Sequence, residues 1–162
     1  GCPYAEGGAL GGTVYLMDTR KDEYVTIRNT EGLPVKIQYL TNAEVLVLYD
    51  TYAAVYDTAD GTELYRYSYG GRTLQSAAIS AGKNAVLLLG DGVHGALTKL
   101  TILDATLSEA GSADVNERAS GVAASRTGSF VLTNDGVLSY GLDGVFYGAT
   151  VTEAKPLAMV NG

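Results

Sequence analysis

The chain has 162 residues, of which 46% are hydrophobic and 18% charged, and this balance predicts a globular protein rather than a disordered one. Its 21 glycines and 12 tyrosines fit short strands joined by tight turns. The formal net charge is -7 and the Lys and Arg residues are scattered, so we expect no nucleic-acid partner, because nucleic-acid binding needs clustered cations.

Short apolar runs bounded by Gly, Asn and Asp predict strands along the whole chain. Residues 13–17 and 24–28 look like the last two strands of a unit without its first strand. Three units of four strands follow, at residues 35–40, 45–49, 53–56 and 63–69, then 75–80, 85–89, 100–103 and 112–115, then 121–125, 129–133, 137–140 and 145–151. Residues 156–160 look like an isolated first strand.

Two sets of aspartates recur in phase with these strands. One set precedes a turn at the end of the third strand, and it consists of Asp18, Asp57, Asp104 and Asp143. The other set follows the second strand, and it consists of Asp50, Asp91 and Asp135. A repeat of about 40 residues that contains four strands is typical of a β-propeller.

The segment at residues 54–65, Ala-Val-Tyr-Asp-Thr-Ala-Asp-Gly-Thr-Glu-Leu-Tyr, resembles the repeats of quinoprotein-like and WD-repeat-like β-propellers, as in uncharacterised propeller-like proteins of Gram-positive bacteria. The resemblance implies an all-β, propeller-like fold with about four repeats of four antiparallel strands. We expect one domain over 1–162 with units near 1–33, 34–71, 72–117 and 118–162, either closed or a fragment of a larger propeller. Because the chain has no Trp, the quinone-docking motifs are missing and no cofactor is expected.

Residues 96–110 allow two interpretations. Leu97, Leu100 and Leu107, with a stop at Gly111, would fit an amphipathic helix. We favour a strand, because Asp104 falls in the recurring set and the neighbouring threonines prefer strands.

Cys2 is the single cysteine, so an intrachain disulfide is excluded. No apolar run reaches the roughly 18 residues that a membrane-spanning helix needs. The Gly-Cys start resembles the lipidation site of bacterial lipoproteins, which would imply a secreted or membrane-tethered location outside the cytoplasm. The other interpretation, which we favour, is a cloning boundary, and it leaves the location open.

The candidate ligand face lies on the loops between the second and third strands, which in a propeller share one face with the connections between units. The only histidine of the chain falls in the longest of these loops. The predicted residues of this face are Asp50, Tyr52, Asp91, His94, Asn134 and Asp135. A single histidine excludes a two-histidine metal or acid–base site, and aspartates that recur once per repeat favour turn capping. We therefore predict no catalytic, cofactor or metal residues.

Three tyrosines share one face of the strand at 63–69, because Tyr65, Tyr67 and Tyr69 alternate with other residues. An exposed row of rings could stack against sugars or partner side chains. The other interpretation, which we favour, is packing between neighbouring units.

The leading functional hypothesis is a non-enzymatic binding or scaffold module whose partner is a protein or a glycan. The sequence does not determine its oligomeric state. One alternative is a hydrolase or lyase that uses Asp50, Asp91, His94 and Asp135. The other alternative is a structural fragment of a larger propeller with no binding of its own.

Overall fold

The structure, a computed structural model, describes residues 2–6, 9–18, 23–29, 31–91 and 98–151, with side chains described from residue 11 onward and Asn29 as backbone only. Every regular element in these ranges is a β-strand, which confirms the all-β prediction. The chain divides into two compact units, Gly1–Gly70 and Gly71–Gly162, and each is described by itself.

The first unit contains two antiparallel sheets. The first sheet has three strands in the order β1 (Cys2–Glu6), β2 (Ala9–Asp18) and β3 (Glu23–Asn29). The second sheet has four strands in the order β4 (Pro34–Tyr39), β5 (Glu44–Tyr49), β6 (Tyr52–Asp57) and β7 (Glu63–Ser68). Their core contains Val14, Leu16 and Ile27 from the first sheet, packed with residues of β5 and β6 that include Val45, Val47 and Tyr49.

The second unit contains two four-stranded antiparallel sheets. One consists of β8 (Thr73–Ile79), β9 (Ala85–Gly90), β10 (Thr98–Leu103) and β11 (Glu109–Val115), and the other of β12 (Ala119–Ala124), β13 (Gly128–Thr133), β14 (Gly136–Gly141) and β15 (Phe146–Val151). One continuous core joins the two sheets and includes Leu88, Leu100, Ile102, Val131 and Leu138. The first strands of the two sheets also meet, since the Val122 N–H donates a hydrogen bond to the Ser76 hydroxyl over 3.2 Å.

The same irregularities recur in all three four-stranded sheets. A β-bulge interrupts the pairing of the first two strands between Pro34 and Lys36, Leu74 and Ser76, and Ala119 and Gly121. A second bulge interrupts the pairing of the last two strands between Val55 and Tyr56, Ile102 and Leu103, and Ser139 and Tyr140. Because a bulge adds one residue to one strand and increases the local twist, matching bulges mean that the repeats share one backbone shape. The prediction of propeller-like repeats is thus confirmed.

The predicted strands agree with the observed ones in the described ranges, with small differences at their ends. The helix interpretation is wrong: residues 98–103 and 109–115 are strands, and a turn joins them. Strand β1 was not predicted and completes a sheet of three strands. Residues 96–97 and the strand predicted at 156–160 lie outside the described residues, and the division into four units of one domain stays a prediction.

Candidate functional site

Asp50 holds the connection that leads into the second sheet. Its carboxylate Oδ1 accepts a hydrogen bond from the Leu33 N–H over 2.8 Å, and its own N–H donates to the Leu33 carbonyl over 3.0 Å. The adjacent Thr51 hydroxyl donates to the Glu31 carbonyl over 3.3 Å. The loop after the second strand therefore lies against the connection into the first strand, at the same end of the sheet.

Asp91 occupies the corresponding place in the sheet β8–β11, directly after its second strand, β9. Its Oδ1 is 3.0 Å from a guanidinium nitrogen of Arg72, which stands just before β8. Thr73 strengthens the same junction, since its hydroxyl donates to the Gly90 carbonyl over 3.3 Å. Both aspartates are thus engaged in holding the start of a first strand.

Tyr52 is packed inside the first unit and is only 4% exposed. Its ring stacks on Tyr49 with centroids 4.4 Å apart, and the Arg66 guanidinium lies 4.2 Å from the ring centroid. Arg66 also forms ion pairs with Glu63 and Glu31. Burial, together with the nearby Tyr49, raises the pKa of Tyr52 well above its usual value.

The remaining residues of the predicted ligand face are more exposed or lie outside the described ranges. Asn134 and Asp135 are exposed in the β13–β14 turn, where the Thr133 hydroxyl accepts hydrogen bonds from the Asp135 and Gly136 N–H groups over 3.3 and 3.2 Å. His94 lies outside the described residues. Asp50 and Tyr52 belong to the first unit and the others to the second, so this ligand face stays a prediction.

Aspartates at the end of the third strands cap the following turns. In each case the carboxylate Oδ1 accepts a hydrogen bond from the N–H two residues ahead: Asp57 from Ala59 over 2.7 Å, Asp104 from Thr106 over 2.8 Å, and Asp143 from Val145 over 3.0 Å. This is the local Asp turn that the recurring spacing predicts, and it is confirmed at these three positions.

Asp104 is the most heavily bonded of these carboxylates and provides a pH-dependent test. Burial opposes its ionisation, but hydrogen bonds from Thr106 and Ser108 outweigh burial and hold the pKa of Asp104 below its usual value. Its stabilising contribution is therefore complete above the unfolded-state pKa of 3.8 and is lost as the pH falls through the lower folded-state pKa. We expect Asp104→Ala to reduce the free energy of unfolding by about 1–2 kcal/mol at pH 7.

The measurement is urea unfolding at pH 7 and at several values below pH 4. The difference between Asp104→Ala and the parent chain should shrink as the pH falls. Asp135→Ala, at an exposed carboxylate in another turn of the same unit, is the matched control and should change stability little. A difference for Asp104→Ala that stays constant down to the lowest pH would contradict the capping role of the ionised carboxylate.

The three tyrosines of the predicted row differ in exposure. Tyr69 is 3% exposed and Tyr65 is 39% exposed, with Tyr67 between them. Tyr67 and Tyr69 have their ring centroids 6.4 Å apart. The row is therefore not a uniform stacking surface, and packing of the row between neighbouring units stays a prediction.

A groove that the sequence did not predict lies between the two sheets of the second unit. It has a volume of about 370 Å³ and runs between β11 on one side and β14 and β15 on the other, within the size range of small-ligand sites. The residues that line it are Ala113, Asp114, Asn116, Glu117, Leu138, Tyr140, Gly144, Phe146 and Ala149.

Two backbone segments approach each other closely beside the groove, and Gly144 in one of them lines it. A Cβ atom added at Gly111 of β11 would overlap the carbonyl group of Asp143, and one added at Gly144 would lie 2.6 Å from the N and O atoms of Ser112. Gly144 also has a φ of +80°, a conformation that glycine adopts without strain. Two glycines thus allow the β14–β15 turn to sit directly on β11.

The groove combines aromatic walls with negative charge. Tyr140 is 5% exposed, and its ring contacts Phe146 edge to face with centroids 5.4 Å apart. Burial, and then the negative charge of Glu117, raise the pKa of Tyr140, so its hydroxyl stays protonated at neutral pH. Glu117 and Asp114 are exposed carboxylates, and the lining described above includes no Lys or Arg.

In the part of the chain that the structure describes, no three His, Cys, Asp or Glu side chains are grouped as a metal site would require. Those same ranges contain no helix with the length and apolar character of a membrane span.

Comparisons with known proteins identify the fold. No protein-family model matches the chain, and no curated protein matches it. BamB from Moraxella catarrhalis matches with 17% identity and a TM-score of 0.60 over 80% of this chain and 42% of that one. The WD40 domain of Neurospora crassa Pan2 matches with 15% identity and a TM-score of 0.59 over 83% and 45%. A protein of unknown function from Bacteroides caccae matches with 12% identity and a TM-score of 0.57 over 89% and 56%.

These similarities place the chain among β-propeller folds of the WD40 and BamB type. The chain spans about half the length of these solved structures. At this level of identity the likeness concerns the fold alone, and it confirms the resemblance to propeller repeats. It gives no support to a Gram-positive origin.

Proposed function

We propose that the chain is a non-enzymatic binding or scaffold module whose partner is a protein, contacted through the groove between the two sheets of the second unit. The observation that carries this proposal is that the groove presents chemical groups, namely the Tyr140 hydroxyl and the carboxylates of Asp114 and Glu117, for which the structure shows no hydrogen bond or ion pair within the described residues.

The binding hypothesis fits the aspartates better than a hydrolase or lyase does. General acid–base chemistry needs carboxylates whose environments separate their pKa values. Asp50 is bonded to a backbone N–H and Asp91 is paired with Arg72, and both contacts hold the start of a strand. Their positions are therefore explained by the architecture of the repeats.

The experiment is selection of random-sequence peptides displayed on phage against the full chain, with a glycan array in parallel. We expect peptides that bind saturably and that lose binding to Ala149→Trp, because the indole would fill the groove beside Ala149. Thr150→Trp is the matched control, since neighbouring residues of a strand point to opposite faces. Binding that is retained by Ala149→Trp, or saturable binding to glycans alone, would contradict the proposal.

A further inference from the structure

The groove offers three kinds of chemical group to one ligand. Asp114 and Glu117 bring two carboxylates, which only accept hydrogen bonds when ionised. Tyr140 brings a protonated hydroxyl whose ring is nine-tenths buried, and the structure gives this hydroxyl no hydrogen-bond partner in the described residues. Phe146, which is 54% exposed, brings an aromatic ring at the opening. A ligand that satisfies all of them must carry positive charge, several donors and a flat surface.

The guanidinium group of arginine has these properties together. It is planar, always charged at neutral pH, and carries five N–H donors in a fork that matches carboxylate oxygens. It also stacks on aromatic rings, whereas the ammonium group of lysine is a compact, strongly hydrated point charge. We propose that the groove binds the side chain of an arginine on the surface of the partner protein, an inference that rests on the proposed function.

The size of the groove limits what enters it. Its volume of about 370 Å³ is near the lower end of the range for ligand sites, about 300–1,000 Å³. Gly144, at the place where the β14–β15 turn packs on β11, is one of its lining residues. One long side chain therefore fits, with its guanidinium toward Tyr140 and Glu117 and its peptide backbone outside.

The first test is titration of the ¹⁵N-labelled full chain with the peptide acetyl-Gly-Arg-Gly-amide, followed by NMR. We expect amide shifts confined to the groove, at Asp114, Asn116, Glu117 and Phe146, and an affinity that falls as salt is added. The matching peptide with citrulline, which is neutral and nearly the same shape, should bind at least about tenfold more weakly because the charged pairing is lost. The lysine peptide should bind more weakly than the arginine peptide.

Variants of the groove provide the second test. Asp114→Asn and Glu117→Gln should each weaken the arginine peptide by about two- to fivefold, the range of an exposed ion pair, and the double variant should weaken it by about tenfold or more. Glu109→Gln is the control, because it removes the same single charge from β11 of the same unit at a position that does not line the groove. Equal binding of the citrulline peptide, or shifts that lie away from the groove, would overturn the arginine assignment.

The two proposals can fail separately. If selected peptides are sensitive to Ala149→Trp but contain no arginine, and acetyl-Gly-Arg-Gly-amide does not bind, then the groove binds proteins and the arginine inference is wrong. If no selected peptide is sensitive to Ala149→Trp while the arginine peptide shifts the groove residues, then the protein-binding proposal is wrong and the groove recognises guanidinium groups of another source.

Discussion

Replacing Gly111 by alanine should lower the free energy of unfolding by about 3 kcal/mol, the upper part of the range for an overpacked interior. The added methyl group would overlap the carbonyl of Asp143 and lie 2.5 Å from the N atom of Gly144. These are backbone atoms of a turn, so no side chain can rotate away. Relief requires β11 and the β14–β15 turn to separate, and this movement would also shift the wall of the groove at Gly144.

Urea unfolding and the NMR titration with the arginine peptide measure the two effects of Gly111→Ala. Gly121→Ala and Gly148→Ala are matched controls in the same unit, because a Cβ atom at either position meets nothing within 4 Å and neither has a positive φ. Each control should be neutral or slightly stabilising, since alanine reduces the freedom of the unfolded chain. A Gly111→Ala chain as stable as these controls would show that the close contact is not a constraint.

Replacing Leu88 by alanine should lower the free energy of unfolding by about 2–5 kcal/mol, the usual cost of a cavity in a packed core. Leu88 is fully buried in the middle of β9 and belongs to the core that joins the two sheets of the second unit. It stands opposite Leu100 in the ladder between β9 and β10. Strands on both sides of Leu88 limit how far the surroundings can collapse into the space.

The measurement for Leu88→Ala is again urea unfolding, with hydrogen exchange to locate the effect. Leu64→Ala is the control, since it makes the same chemical change at a side chain that is 41% exposed, and it should cost much less. The amides of β9 and β10 should lose protection in Leu88→Ala. Equal destabilisation by the two substitutions would contradict the assignment of Leu88 to the core.

The strands of the three complete sheets were predictable from sequence because each is an apolar run that ends at a marked turn. The turn after the third strand needs a carboxylate that accepts a hydrogen bond from the N–H two residues ahead, and this role is filled by Asp57, Asp104 and Asp143. Because the bond is local, the aspartate recurs at the same place in each repeat. The position of Asp104 in this recurring set also favours a strand over a helix for the segment before it, and the structure has the strand Thr98–Leu103 there. Recurring local signals are what a single sequence shows best.

Strand β1 was missed for a physical reason. The segment Cys2–Glu6 contains Pro3, and proline cannot donate a hydrogen bond to a β-ladder, which argues against an internal strand. The structure places this strand at the edge of its sheet, paired only with β2 among the described strands. Edge strands tolerate proline, but no periodic pattern in five residues indicates that position.

The groove could not be predicted because its walls are distant in sequence. Asp114 and Glu117 come from the end of one sheet, and Tyr140 and Phe146 from the last strands of the next. Their approach depends on how closely β11 and the β14–β15 turn pack. The only signal in the sequence is the absence of a side chain at Gly111 and Gly144, and glycine is too common here to indicate one contact.

The order of the strands bears on how the protein is made in the cell. In every sheet that the structure describes, hydrogen-bonded neighbours are also neighbours along the chain, so none of the described strands has to wait for a distant segment to be translated. Pairing between distant segments is what slows the folding of many β proteins. Synthesis proceeds at about 5–20 residues per second, so each new ladder can close on the ribosome within seconds of its last strand emerging.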